Sequence, residues 1–174
     1  MNVSDAIKTR IEIRSYRDEP VDDETKRAIL NTGRLAPSGR NLQHWRFILL
    51  DTDERLSGLA QRSPTGSWVA DAAFAIVVCT DPSYDFHEID AGRAVTHMQL
   101  VAWEHEVGSC IYTIGEPTAA AEYLELPDQY DLTLVAVFGY PEGEVKGRKD
   151  RKSLSEIAFS ETYGSDLQLS VTHD

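Results

Sequence analysis

The feature that most constrains this chain is the near-continuous apolar run Ala72-Ala73-Phe74-Ala75-Ile76-Val77-Val78-Cys79. A strand with one wet face alternates apolar and polar residues. An unbroken, β-branched run instead reads as a central strand covered on both faces. Such a strand needs partners on either side and packed layers above and below it.

The rest of the sequence supplies both. Trp45 to Leu50 and Leu132 to Tyr140 read as further strands, with Cys110-Ile111-Tyr112 as a shorter apolar stretch. Ser4 is placed as the N-cap of a short first helix carrying Ala6, Ile7 and Lys8. After Pro20, Asp22 or Asp23 starts a second helix reaching about Leu35, with Asp23, Glu24 and the late Arg34 matched to its dipole. Asp53 opens another short helix, and Pro117 opens one ending at Leu124. The longest helical pattern runs from about Glu88 to Glu106, with Ile89, Val95, Met98, Val101 and Ala102 as candidate buried positions. Helices and strands are interspersed without repeat or linker. The pattern gives one α/β or α+β domain over 1–159, around a sheet of four or five strands, and a polar tail over 160–174.

Charge narrows the function classes. The 174 residues hold 29 acidic and 17 basic side chains, a formal charge of −12. A surface that acidic repels phosphate backbones and anionic lipid, which argues against nucleic-acid and membrane-surface roles. No apolar run approaches the roughly 20 residues of a membrane span. Met1-Asn2-Val3-Ser4-Asp5 lacks the basic stretch and apolar core of a secretory signal, and two cysteines make no disulfide framework. The expectation is a cytoplasmic chain with reduced thiols. The basic residues are 12 Arg against only 5 Lys, a lysine-poor, acidic balance like that of proteins from salt-loving microbes.

The chain has no Gly-rich phosphate loop, no dinucleotide fingerprint, no Gly-x-Ser-x-Gly elbow and no Cys-x-x-Cys pair. Its five histidines show no metal spacing. Three clusters stand out instead. Arg10-Ile11-Glu12-Ile13-Arg14 puts two guanidinium groups where they can converge on one anion. Ala36-Pro37-Ser38-Gly39-Arg40-Asn41-Leu42-Gln43-His44-Trp45 is a loop of small and hydrogen-bonding residues leading into a strand. Lys146 to Lys152 gathers five of the 17 basic residues, a concentration that suggests an anion to hold.

In this order the clusters resemble the nitroreductase family, FMN-dependent α+β oxidoreductases that assemble as intertwined homodimers. The opening motif is Arg10-x-Glu12-x-Arg14-x-Tyr16 followed by Pro20-Val21, and the family's Ala-Pro-Ser-x-x-Asn-x-Gln-Pro-Trp pattern is Ala36 to Trp45. Asp90-Ala91-Gly92 starts the long helix, and Gly108-Ser109-Cys110 follows it. Leu126-Pro127, Gly139-Tyr140-Pro141 and Lys149 to Ile157 complete the series. The similarity covers residues 5 to 158.

The resemblance implies a central, mostly antiparallel sheet flanked by helices, with FMN at the subunit interface. It implies that Arg10, Lys149 and Arg151 hold the phosphate, with Arg14 at the phosphate or the pyrimidine edge of the flavin. Pro37, Ser38, Gly39 and Asn41 approach from the other subunit, and backbone N–H groups near Ile114 and Gly115 face flavin N5. The implied reaction is ping-pong. A reduced nicotinamide, NADH or NADPH, gives hydride to the flavin, and a nitro, quinone or similar acceptor then takes two electrons. No side chain is required as acid or base, and no metal. The polar tail over 160–174 reads as either disordered or an arm laid across the partner, and the resemblance favours the arm. A dehalogenase, an oxygen-using flavoenzyme and a non-catalytic flavin-binding dimer are the alternatives on the same fold.

Three departures carry expectations. Glu12 stands where serine is usual; its carboxylate repels phosphate, so it is expected to pair with Arg14 or Arg10 and face away. His44 replaces a common proline and reads as a loop residue near the substrate side. Glu106 falls where glycine is frequent, which implies an altered turn into Gly108. Trp68 and Trp103 read as packing or interface aromatics. Cys110, with no basic neighbour in sequence, reads as structural.

Overall fold

The computed structural model describes residues 1–147 and 149–169; the expectations on Arg148 and on 170–174 lie outside the described residues. Strand β2 (Phe74–Thr80) is buried along its whole length, as its apolar run requires. It lies between β1 (Arg46–Leu50) and β4 (Asp131–Gly139), and β4 carries β3 (Gly108–Tyr112) on its other side. The order is β1-β2-β4-β3, and each neighbouring pair is antiparallel. The fold is α+β, built on a four-stranded antiparallel sheet. Trp45, expected in β1, stays outside it and packs with Ala36 and Ala94. Ala72 and Ala73 precede β2, which runs on to Thr80 instead.

Because side chains alternate across a strand, β2 and β4 feed two cores. On one face Ala75, Val77, Val135 and Val137 pack against Leu56 and Leu59 of α3 (Asp53–Ala60) and against Ala120 of α5 (Thr118–Tyr123). On the other, Phe74, Ile76, Val78 and Phe138 meet α2 (Asp23–Arg34) and α4 (His87–Glu104). Phe74 and Phe138 stack there with ring centroids 4.8 Å apart and planes 8° from parallel.

Helix ends follow local chemistry. Asp22 caps α2, accepting from the Thr25 N–H and hydroxyl, each at 2.8 Å, and these bonds hold its carboxyl below the ordinary range. The first helix, α1 (Val3–Thr9), is capped by Asn2, whose side chain accepts the Asp5 N–H at 2.9 Å. Ser4 therefore sits inside the first turn; asparagine two residues earlier is an equally good cap. A four-residue helix, α6 (Leu154–Ile157), starts from a capping box between Ser153 and Glu156.

In α4, Val95, Met98 and Ala102 are buried as expected, but Val101 is only half-buried and Ile89 is 66% exposed. The inward positions at that end belong to Asp90 and Ala91, and a step of one residue turns a helical side chain by about 100°. Gly33 lets α2 close on α4: a Cβ there would stand 2.0 Å from Met98 Cε. In the turn after α4, Glu106 takes the left-handed conformation, φ 62°, that glycine adopts more easily.

Candidate functional site

The Arg10 to Arg17 segment is laced to the sheet edge by its backbone. The Arg10 N–H closes α1 on the Ala6 carbonyl at 2.9 Å, and the Ile13 N–H donates to the Ser109 carbonyl at 3.0 Å. Further on, the Arg17 N–H donates to the Tyr140 carbonyl at 2.8 Å and the Glu142 N–H to the Ser15 carbonyl at 3.0 Å. Arg10 and Arg14 thus project from a strip fixed along β3 and the end of β4. Gly147 lets the basic segment close on this strip, since a Cβ there would lie 2.6 Å from Ile11 Cδ1.

Lys149 of the basic segment reaches the N-terminal stretch that carries Arg10. Lys149 Nζ donates to the Ile7 carbonyl at the end of α1. Its ammonium is held below its ordinary range, by partial burial first and then by the charges of Arg10 and Arg151. Arg10 and Arg151 are thus each within electrostatic reach of Lys149. Such a group repels itself except where an anion offsets it, as the Glu12 carboxylate does for Arg10. Arg14 points elsewhere. Its Nε donates to Cys110 Sγ at 3.3 Å, and the guanidinium lies over the Trp68 ring at 5.8 Å. Cys110 therefore does have a basic neighbour, contrary to the sequence expectation. Burial still outweighs Arg14, so the thiol is pushed up and stays protonated at neutral pH. Trp68 packs edge-on to Tyr112, and Trp103 Nε1 donates to Thr9 Oγ1 at 2.9 Å.

Glu12 makes the expected ion pair with Arg10, NH1 to Oε1 at 2.7 Å. It does not face away. Its backbone bridges to Ser109, and its charge acts on Arg14 and Cys110 as well. The carboxylate stays among the cations.

Pro37, Ser38, Gly39 and Asn41 form a second group, in a tight 3-10 turn (Gly39–Asn41) that leads toward β1. Arg40, Asn41 and Gln43 all hold left-handed backbone, with φ of 51°, 57° and 49°. Gly39 has no room for a side chain, because a Cβ would lie 2.4 Å from Phe86 Cε2. Its N–H donates to Asp90 Oδ2 at 2.8 Å. Two residues that sequence reasoning underrated complete this group. Asp90 is 1% exposed, and His44, read as a loop residue, is 5% exposed against it. The available signals were the Asp-Ala-Gly triplet opening the long helix and the histidine standing in place of a common proline.

Ile114 and Gly115 follow β3; Ile114 is packed into the core, and a Cβ at Gly115 would meet nothing. They share the β3 edge with Arg14 and Cys110. The turn at Ser38 does not. It is tied to the first turn of α4, whereas Trp103 near the other end of α4 bonds Thr9, next to Arg10. At about 1.5 Å per residue, Asp90 and Trp103 stand about 20 Å apart along the helix. One chain does not bring the two groups together.

An antiparallel α+β sheet thus carries basic side chains along one edge and a strained, polar turn remote from them. The chain belongs to the nitroreductase family, whose model matches residues 7–65 and 57–140. A protein of Archaeoglobus fulgidus provisionally named NADH dehydrogenase/NAD(P)H nitroreductase is 34% identical over 147 residues, covering 79% of this chain and 84% of the relative. A solved structure from Desulfovibrio desulfuricans, provisionally titled a nitroreductase in complex with FMN, is 30% identical, with a TM-score of 0.84 over 94% of this chain and 98% of that one. An FMN-dependent nitroreductase from Clostridium difficile is 29% identical, with a TM-score of 0.83 over 90% and 98% of the two chains.

Proposed function

We propose that this chain is an FMN-dependent NAD(P)H oxidoreductase that works as a homodimer and reduces nitro, quinone or similar small acceptors. The observation that carries the reading is that Lys149 stands near two like charges, Arg10 and Arg151, in a chain of net charge −12, its ammonium disfavoured by burial first and by those charges second. The donor set fits a phosphate: two guanidinium forks and an ammonium offer charge-assisted hydrogen bonds. Bound FMN would supply the two-electron relay between a reduced nicotinamide and the acceptor.

The chain's own residues bind and orient. Arg10, Lys149 and Arg151 hold the phosphate. Arg14, fixed by Cys110 and Trp68, places a permanent cation on the β3 edge toward the pyrimidine side of the ring. Ile114 and Gly115 offer backbone N–H groups at the end of that edge. Pro37, Ser38, Gly39 and Asn41 serve the cofactor of a second copy, which the separation of about 20 Å along α4 supports. Single-chain surfaces also leave apolar groups uncovered: Val3 and Ile7 on α1, Leu154 and Ile157 on α6, and Tyr163 at 94% exposure. Such groups suit self-association, with 1–159 as the FMN-binding domain and the described part of the tail, 160–169, as an arm across the partner. The working place is the cytoplasm; among the described residues no helix is long and apolar enough to cross a membrane.

The test is spectroscopic. Purified protein loaded with FMN is mixed with NADH or NADPH without air, and an acceptor is then added. Bleaching of the flavin band followed by its return is the expected result. Bound flavin that neither nicotinamide bleaches would exclude the oxidoreductase, and a protein that takes up no FMN would exclude the flavin reading.

A further inference from the structure

Among the described residues Asp90 is the one carboxylate buried in the fold, and the proposed chemistry does not use it. It lies in the first turn of α4, where the positive helix end favours a negative charge. It does not cap its own helix: Phe86 holds that position and gives no side-chain hydrogen bond. Instead, Oδ2 accepts the Gly39 N–H at 2.8 Å and meets His44 Nε2 at 3.3 Å, while Oδ1 accepts from Arg93 NH1 at 3.3 Å. With Gly39 and Arg93 donating to it, the carboxylate acts as an acceptor toward His44 as well, so Nε2 carries the hydrogen.

His44 is equally enclosed, its side chain 2% exposed like that of Asp90. Its ring lies against Tyr84, with centroids 5.4 Å apart. The other ring nitrogen, Nδ1, is buried and meets no partner among the described residues. The one polar tie of this imidazole is therefore to Asp90. A buried polar group left half satisfied is rare and calls for a reason.

The reason lies in the turn that Asp90 grips. Arg40, Asn41 and Gln43 are not glycines, yet all three hold left-handed φ. Such conformations persist only where the surroundings over-determine them, and they concentrate at functional sites. The restraints here are visible. Ser38 Oγ accepts the Gln43 N–H at 3.1 Å across the turn, Phe86 fills the space above Gly39, and Asp90 holds the Gly39 amide. His44 links the far end of the turn to the same carboxylate. One buried acid thus pins the turn at both ends.

We propose that Asp90 and His44 are positioning residues: together they hold the turn from Ser38 to Gln43 in its left-handed shape and so set how tightly FMN is retained. The inference rests on the reading that this turn faces the cofactor of a second copy. Where the family pattern has proline, which stiffens the chain covalently, this chain uses a hydrogen bond to α4. Retention of FMN then depends on what residue 44 can donate.

The test uses the full chain, with FMN affinity and dissociation rate read from flavin fluorescence and thermal midpoints measured alongside. His44→Ala is expected to raise the FMN Kd about tenfold through faster release. His44→Gln keeps an N–H directed at Asp90 but loses the ring, so its thermal midpoint falls while its Kd stays within about threefold of the parent. Asp90→Asn removes the shared charge and is expected to weaken FMN at least as much as His44→Ala; it stands in should His44→Ala fail to fold. A merely structural pair would give Kd shifts that follow the thermal midpoints, with no rescue by glutamine, and that result overturns the inference. Equal Kd values in the parent, His44→Ala and Asp90→Asn overturn it too, while leaving the proposed function intact. A parent chain that takes up no FMN removes both.

Discussion

Replacing Glu12 with glutamine should tighten FMN binding, an unusual outcome for a residue in a cofactor site. The Glu12 carboxylate sits 2.7 Å from Arg10 NH1 and is held there because the Glu12 backbone is bridged to Ser109. A phosphate that uses Arg10 must share or displace this resident anion and also meets its repulsion. The side chains of the pair are 22% and 41% exposed, so solvent screens it heavily. An exposed pair of this kind is worth at most about 1 kcal/mol, which corresponds to about a fivefold change in affinity. Glu12→Gln keeps the size and removes the charge, so the FMN Kd should fall about three- to fivefold at low salt. The gain should shrink in molar salt, where the screening length is only about 3 Å. Fluorescence titration of apoprotein with FMN, with riboflavin as the phosphate-free control, reads this directly. Riboflavin affinity should not change. A Kd for FMN that rises, or stays the same at low salt, refutes the reasoning; a rise would make the carboxylate itself a ligand of the cofactor.

Other outcomes follow from the same physics. Arg10→Ala and Lys149→Ala should each weaken FMN by about tenfold or more, at about 1.5–3 kcal/mol for a hydrogen bond to a charged group, and should spare riboflavin; equal losses for both flavins would place the phosphate elsewhere. Phe138→Ala removes a fully buried ring stacked on Phe74 and should cost about 3–5 kcal/mol in urea unfolding. Cys79, fully buried in β2, has its thiol pushed up from 9.0 to about 12. Between those values the unfolded chain loses the proton while the folded chain keeps it, so stability falls as pH rises. The stability advantage of the parent over Cys79→Ala, measured by urea unfolding, should be constant below pH 9 and narrow above it.

Much of the fold was legible in the chain because its causes are local. The apolar run ending at Cys79 read as a doubly covered strand, which the structure begins at Phe74, and Asp22 with its following acids read as a helix start. The motif order from Arg10 to Ile157 was enough to indicate the family. Errors came where neighbours along the chain compete closely, as with Asn2 against Ser4 for the first cap, or Ile89 against Asp90 for the inward face of α4.

Tertiary structure decided what depends on meetings between distant segments. Periodicity and capping are set over a few residues, but the order β1-β2-β4-β3 is set by how whole faces pack. That order brings Lys149 to the carbonyl of Ile7 and Arg14 to Cys110, and it turns a supposedly inert cysteine into the anchor of a guanidinium. It also sets Asp90 against Gly39 and His44, a buried acid that no periodic pattern predicts, since periodicity sorts apolar from polar and this residue is polar and inside. By itself the sequence determined which residues carry the charge; only the packed chain decided which of them face one another.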